Sequence, residues 1–152
     1  MNYFIKLDSV STTSEFLKNT IPLLDFAPTY GDIILSILDP LIFKDDPIYP
    51  LINKFGIGEA KKVSIFKFMP NTSYAWHTDG IRSAAINMLI SGFDSLTLFG
   101  NKSGKYFTDV KNVDYEPNRY FLLNTRASHT IINFTETRYL LSLGIPEKYS
   151  FY

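Results

Sequence analysis

The sequence predicts an all-β fold, a jelly roll of about eight strands with short helices ahead of it. Three observations lead there. Aromatic residues make up 16% of the 152 positions, and aromatic side chains suit the pleated, half-buried surface of a sheet. From residue 61 onward turn signals recur at short intervals: Pro70-Asn71, Asp79-Gly80, Ser91-Gly92, Gly100 to Gly104, Pro117-Asn118, Arg126-Ala127 and Thr135-Glu136. The apolar runs between them have strand length, and many short, evenly spaced strands indicate a sandwich or barrel.

The elements follow in order. Thr12 with Glu15 three residues later is a capping-box pattern ahead of Phe16, Leu17, Ile21 and Leu24, which predicts a short helix disturbed at Pro22. Ile33 to Leu38 is apolar throughout and reads equally as helix or strand. Pro47 to Phe55, with proline in the first turn and Gly56 behind it, predicts a second short helix. Strands are then expected near 61–69, 73–78, 83–90, 95–99, 105–110, 119–124, 129–134 and 137–144. The chain 1–152 reads as a single domain, with 1–60 a helical N-terminal support and 61–145 the β core. It shows no repeat period and no low-complexity tract.

Composition narrows the function. Fifteen Lys and Arg balance fifteen Asp and Glu, leaving no basic excess to hold a phosphate backbone. Cysteine is absent, which removes disulfides, thiolate metal sites, iron–sulfur clusters and cysteine nucleophiles, and suits a reducing, cytoplasmic setting. Neither a signal peptide nor a membrane span is expected, because Lys6 and Asp8 interrupt the first apolar stretch and no run of about 18 apolar residues follows. A metal site in this chain must use nitrogen and oxygen ligands.

The chain has two histidines, so their surroundings are informative. His77 lies in Trp76-His77-Thr78-Asp79-Gly80 at the end of an expected strand, and His129 lies in Ser128-His129-Thr130 at the start of another. Residues i and i+2 of a strand share a face, so His77 and Asp79 can offer an imidazole nitrogen and a carboxylate oxygen to one ion, and His129 can complete the set. Two histidines and one carboxylate hold Fe(II) on one side and leave neighbouring coordination positions open for a chelating cosubstrate and dioxygen. The competing reading is a pair of imidazoles satisfied within an aromatic core.

Arg138 follows by geometry. With Thr135 and Glu136 at the tip of a hairpin, His129 faces Ser142 and Asn133 faces Arg138, so His129, Arg138 and Ser142 point into one interior. Arg138 then lies four residues from the metal ligand's level, ~13 Å along the strand. A five-carbon dicarboxylate and an extended arginine span that gap, and a guanidinium grips a carboxylate with two bonds. The alternative is a surface hairpin arginine. Arg82 is a further candidate for a cosubstrate or substrate carboxylate, or else a solvated loop arginine. Asn87 interrupts the apolar run Ala84 to Ile90, where an inward polar side chain needs a partner and a cosubstrate supplies one. Tyr74, Trp76, Phe66 and Phe68 flank the site in sequence and read as core.

This set of residues, His77-x-Asp79, then His129, then Arg138 on the following strand, resembles the Fe(II)- and 2-oxoglutarate-dependent dioxygenase superfamily. The wording Trp76-His77-Thr78-Asp79-Gly80-Ile81-Arg82 with Ala85-Ile86-Asn87 is similar to its aspartyl/asparaginyl hydroxylase-like branch and to short oxygenases often encoded by phages. The resemblance spans about Lys62 to Ile145 and implies a double-stranded β-helix. It also implies iron held by His77, Asp79 and His129, 2-oxoglutarate held at its distal carboxylate by Arg138, and oxidation, most simply hydroxylation, with release of succinate and CO2. The last strand departs from the common Arg-x-Ser pattern, with Leu140 at the second position beyond Arg138 and Ser142 one alternation further. Two other functions fit parts of the pattern: a cupin-like metal enzyme of another reaction type, and a noncatalytic jelly-roll binding or structural protein. The substrate is not legible; a free amino acid, a protein side chain and a nucleotide all remain open.

Overall fold

A computed structural model describes residues 2–28 and 33–148 of the chain. Eleven strands pair antiparallel in two sheets among the described residues. They are β1 (Phe4–Val10), β2 (Ala27–Pro28), β3 (Ile34–Ile37), β4 (Val63–Phe68), β5 (Thr72–His77), β6 (Arg82–Ser91), β7 (Leu96–Ser103), β8 (Tyr106–Asn112), β9 (Arg119–Leu123), β10 (Ser128–Asn133) and β11 (Arg138–Pro146). The large sheet runs β1-β9-β6-β11-β4-β3-β2 and the small sheet β5-β10-β7-β8. The eight strands expected after residue 61 are all present, four in each sheet.

The N-terminal sixty residues do more than add helices. Helix α1 (Ser14–Thr20) gives way at Pro22 to a 3-10 turn over Ile21–Leu23, and helix α2 (Tyr49–Lys54) forms inside the expected segment. β1, β2 and β3 extend the large sheet at both ends. The run 33–38 becomes a strand because β4 offers a partner edge, with Leu35 opposite Phe66 and Ile37 opposite Ser64. The Thr12–Glu15 capping box does not form. Thr13 is the N-cap and its side chain makes no cap hydrogen bond. Its hydroxyl instead donates to Asp46 at 2.7 Å, as does the Thr12 backbone N–H at 3.0 Å. A buried carboxylate is the stronger acceptor, and it takes the Thr12 N–H that Glu15 would receive in a capping box.

The helices pack on the outer face of the large sheet. Leu17, Phe43, Ile48 and Ile52 meet Ile65, Ile86, Met88 and Leu141 in one buried cluster. The inner face meets the small sheet, so β6 and β11 are covered on both sides. Strands covered on both sides read as near-continuous apolar runs, and any inward polar residue in them stands out. Asn87 on β6 and Arg138 and Ser142 on β11 are such residues, with Ser142 paired directly to Asn87.

The expected β10–β11 hairpin is overturned. β10 pairs with β5 and β7 in the small sheet, whereas β11 pairs with β4 and β6 in the large one. His129 is opposite His77 and Phe99, and Ser142 is opposite Ser64 and Asn87. Residues 134–137 therefore carry the chain from one sheet to the other. Asn133 Nδ2 holds this crossing by donating to the carbonyls of Phe68, Met69 and Glu136 at 3.2, 2.8 and 2.8 Å. His129, Arg138 and Ser142 still face one interior, now from opposite walls.

Candidate metal centre and adjoining pocket

His77 closes β5, and His129 sits opposite it on β10 with ring centroids 4.4 Å apart. A register shift separates the pairs His129–His77 and Ile131–Tyr74. The extra residue on β5 turns both Tyr74 and His77 inward although they are three apart, as a β-bulge does beside a site. Trp76 consequently faces outward and stacks on Phe107 at 4.0 Å. Asp79 lies in the loop beyond β5, not on the strand. Its N–H donates to the Thr125 carbonyl at 2.9 Å, which brings the carboxylate back toward the imidazoles.

Each imidazole is oriented the same way. Nδ1 of His77 lies 2.8 Å from the Ala75 carbonyl and Nδ1 of His129 lies 2.8 Å from the Ala127 carbonyl. A carbonyl only accepts, so both Nδ1 atoms carry the proton and both Nε2 lone pairs are free for a metal. Asp79 Oδ1 is 3.6 Å from His77 Nε2 and 3.5 Å from His129 Nε2. Ligand atoms on one ion at ~2.1 Å and right angles lie about 3 Å apart. Each imidazole–carboxylate pair fits a divalent ion after a contraction of about half an ångström, and the three ligand atoms lie within 4.8 Å of one another.

The second Asp79 oxygen is occupied. Arg82 Nε donates to Asp79 Oδ2 at 2.5 Å, and Arg82 Nη1 donates to Ser142 Oγ at 2.8 Å. Burial would raise the Asp79 pKa, but the neighbouring His129 and the hydrogen bond and charge of Arg82 outweigh it and hold the carboxyl well below the usual range. The carboxylate is thus ionised and presents one oxygen toward the imidazoles.

A cavity of about 340 Å³ opens beside these groups between the two sheets. His77, Asp79, Arg82, Asn87, His129, Arg138 and Ser142 all line it. Arg138 is 0% exposed. Its Nη2 donates to Thr97 Oγ1 at 2.7 Å, its guanidinium lies over the rings of Phe68 and Tyr115 at 5.2 and 5.7 Å, and its Nε and Nη1 have no hydrogen-bond partner. Burial lowers its pKa while the neighbouring Tyr115 raises it. The Tyr115 hydroxyl and Asn87 Oδ1, both buried, also lack a hydrogen-bond partner. A guanidinium taken out of water with two donors unused costs several kcal/mol unless an anion joins it.

Thr97 and Tyr115 were not singled out from the sequence. Thr97 shares the inward parity of Phe99 on β7, which was the available signal. Tyr115 lies in the β8–β9 connection, where no periodicity points to a site. Of the flanking aromatics, Phe66, Phe68 and Tyr74 pack in one buried cluster with Leu89 and Leu140, as expected of core residues, and also line the cavity.

No family model matches the chain, and no curated protein matches it by sequence. Solved structures do match. A prolyl hydroxylase from Trichoplax adhaerens, in complex with a hypoxia inducible factor oxygen degradation domain peptide fragment, superposes with a TM-score of 0.67 at 14% identity, covering 97% of this chain and 85% of that one. HygX from Streptomyces hygroscopicus, with nickel, 2-oxoglutarate and hygromycin B bound, gives 0.65 at 11% identity, over 97% and 84%. A Pseudomonas putida prolyl-4-hydroxylase gives 0.63 at 10% identity, over 93% and 91%. The fold is the double-stranded β-helix. At these identities the likeness is one of fold and does not distinguish branches, and none of the three is named as a phage protein. No helix among the described residues is long and apolar enough to cross a membrane.

Proposed function

We propose that this chain, read as one oxygenase domain, is an Fe(II)- and 2-oxoglutarate-dependent dioxygenase that hydroxylates its substrate. The observation that carries the reading is Arg138: a fully buried guanidinium with two unused donors, in the same cavity as a His-Asp-His cluster. His77 Nε2, His129 Nε2 and Asp79 Oδ1 would hold the iron. Arg138 Nε and Nη1 would take the distal carboxylate of 2-oxoglutarate, with the Tyr115 hydroxyl and Asn87 beside it. When bound, iron and 2-oxoglutarate supply oxygen activation, one oxygen atom going to succinate as CO2 leaves and the other to the substrate.

The chain's own groups bind, orient and exclude water. Ala75 and Ala127 carbonyls fix the imidazole tautomers, and Arg82 keeps Asp79 ionised with Oδ1 forward. Ser142 Oγ accepts from Arg82 and steadies it, and its own O–H would be left to donate to the cosubstrate. Phe66, Phe68, Phe99 and Leu140 wall the cavity with apolar surface, which strengthens every electrostatic contact inside it. A cupin-like enzyme without a cosubstrate would have no use for a buried, unpaired Arg138. A noncatalytic jelly roll would have no use for two aligned Nε2 atoms.

The test is anaerobic calorimetry with Mn(II), then 2-oxoglutarate, followed by succinate measurement in air with Fe(II). The expected result is one Mn(II) per chain, metal-dependent binding of 2-oxoglutarate, and slow succinate release even without substrate. Metal binding with no 2-oxoglutarate binding would turn the assignment to the cupin-like alternative. No metal binding would end it.

A further inference from the structure

We infer that the metal end of this pocket is an anion subsite, in which Arg82 and Lys62 take a carboxylate or phosphate that the substrate carries near its reacting carbon. The inference rests on the function proposed above and names a substrate class for that site. The floor of the subsite is Gly144. Its N–H donates to the Lys62 carbonyl at 3.0 Å, which sets Lys62 opposite Gly144, one alternation beyond the opposed pair Ser64 and Ser142. Residues opposed in a sheet share a face, so Lys62, Ser64, Ser142 and Gly144 all look toward the small sheet. A Cβ at Gly144 would lie 3.3 Å from Lys62 Cβ and 3.5 Å from both Lys62 Cδ and Arg82 Cδ. Two cationic side chains thus lie side by side over a position that has no side chain of its own.

Neither cation is used up by the protein. Arg82 spends two of a guanidinium's five N–H groups, Nε on Asp79 and one of Nη1 on Ser142, and keeps three, both of Nη2 among them. Neighbouring N–H groups of this kind grip an oxyanion with two bonds. The Lys62 ammonium makes no ion pair or hydrogen bond among the described residues. No acid offsets them further, because Asp79 is the one carboxylate among the described residues lining the cavity. With a divalent ion and the dianionic cosubstrate in place those charges cancel, and Asp79 cancels one guanidinium. The second guanidinium and Lys62 leave the site positive, which favours an anionic guest. The cosubstrate does not compete for this edge, since its distal carboxylate goes to Arg138, four residues along β11 from Ser142. Arg82 also grips the carboxylate that would hold the iron, so an anion on its free edge lies close to a carbon presented to the metal. The Phe66 ring, 5.9 Å from the Arg82 guanidinium, offers apolar surface to the carbon skeleton. A small organic acid or phosphate monoester with a short apolar chain has the matching chemistry.

The experiment uses wild type, Lys62→Met and Lys62→Arg loaded with Mn(II) and 2-oxoglutarate, each shown by calorimetry to hold both. Propyl phosphate, butyrate and uncharged butyramide are titrated, and binding is read from the Mn(II)-enhanced relaxation of their protons. In wild type at least one of the two anions is expected to bind on the order of tenfold more tightly than butyramide, without displacing 2-oxoglutarate. The tighter of the two tells a phosphate subsite from a carboxylate one. Lys62→Met should weaken that anion about tenfold and Lys62→Arg should restore most of the loss. Neither variant should change Mn(II) binding, 2-oxoglutarate binding or the slow succinate release with Fe(II) in the absence of substrate. An anion that binds Lys62→Met as tightly as wild type overturns the inference, because it then sits on the metal or Arg82 without Lys62. Failure of both anions to bind, displacement of 2-oxoglutarate by the anion, or butyramide binding as tightly as both anions overturns it as well. Protein that takes up neither Mn(II) nor 2-oxoglutarate fails the proposed function instead.

Discussion

Arg138→Met should leave the ligand-free protein at least as stable as wild type and remove most of its response to 2-oxoglutarate. In the structure the guanidinium is 0% exposed, makes one hydrogen bond, to Thr97, and faces no carboxylate of its own. Replacing buried ionic groups with apolar ones of similar volume is commonly neutral or stabilising by about 1 to 4 kcal/mol. Against this stands the lost bond to Thr97, worth about 1 kcal/mol. The net gain of up to about 3 kcal/mol raises the midpoint of thermal unfolding by up to roughly 10 °C for a chain of this size. Cosubstrate binding moves the other way. Loss of a buried charge-assisted contact costs about 2 to 5 kcal/mol, a Kd weaker by roughly 30-fold to several thousandfold. Wild type at a hundred times Kd gains about 2.7 kcal/mol from the ligand, and the variant at that concentration should gain less than about 1 kcal/mol. Differential scanning calorimetry of both proteins with Mn(II), with and without 2-oxoglutarate, reads both effects. A variant that melts lower than wild type and still shifts with 2-oxoglutarate would refute the reasoning, since Arg138 would then be a structural residue.

Other outcomes follow from the same contacts. The Asp79 carboxyl lies well below its ordinary value, so its contribution to stability is complete above about pH 4 and is lost as the pH falls further toward the folded pKa; the stability gap between wild type and Asp79→Asn, followed by urea titration, should close over that acid range. Gly92 has φ +86°, and a Cβ there would sit 2.7 Å from Arg138 Cα, so Gly92→Ala should cost about 1 to 3 kcal/mol and weaken 2-oxoglutarate binding, read together by urea unfolding and calorimetry. Asp46 accepts from the Ser11, Thr13 and Tyr120 hydroxyls and from the Thr12 and Ile48 amides while 4% exposed. Asp46→Ala should therefore destabilise the fold by about 3 to 5 kcal/mol in denaturant, and Asp46→Asn by less.

Local pattern carried much of the fold. The eight strands after residue 61 were visible because turn residues punctuate them and because inward and outward positions alternate, both properties of the chain next to itself. The candidate site was visible for a related reason: two histidines, a carboxylate two residues from one of them and an arginine inside an apolar strand are unusual enough to be noticed singly. What local pattern could not decide was pairing. The signals at Thr135-Glu136 are the same for a hairpin as for a crossing between sheets, and only the edges offered by β4 and β6 chose the crossing. Parity along β11 kept Arg138 and Ser142 on one face, but the shared interior of Arg138 and His129 rested on the hairpin and holds for another reason: the two sheets face each other across one cavity. The segments 4–10 and 34–37 became strands for want of any other partner for exposed edges of β9 and β4. The bulge that aims His77 inward, the capture of Thr12 and Thr13 by Asp46, and the gathering of Thr97 and Tyr115 around Arg138 are likewise contacts between residues far apart in the chain. Such contacts form by burial and hydrogen-bond satisfaction across the whole molecule, and no window of sequence contains both partners.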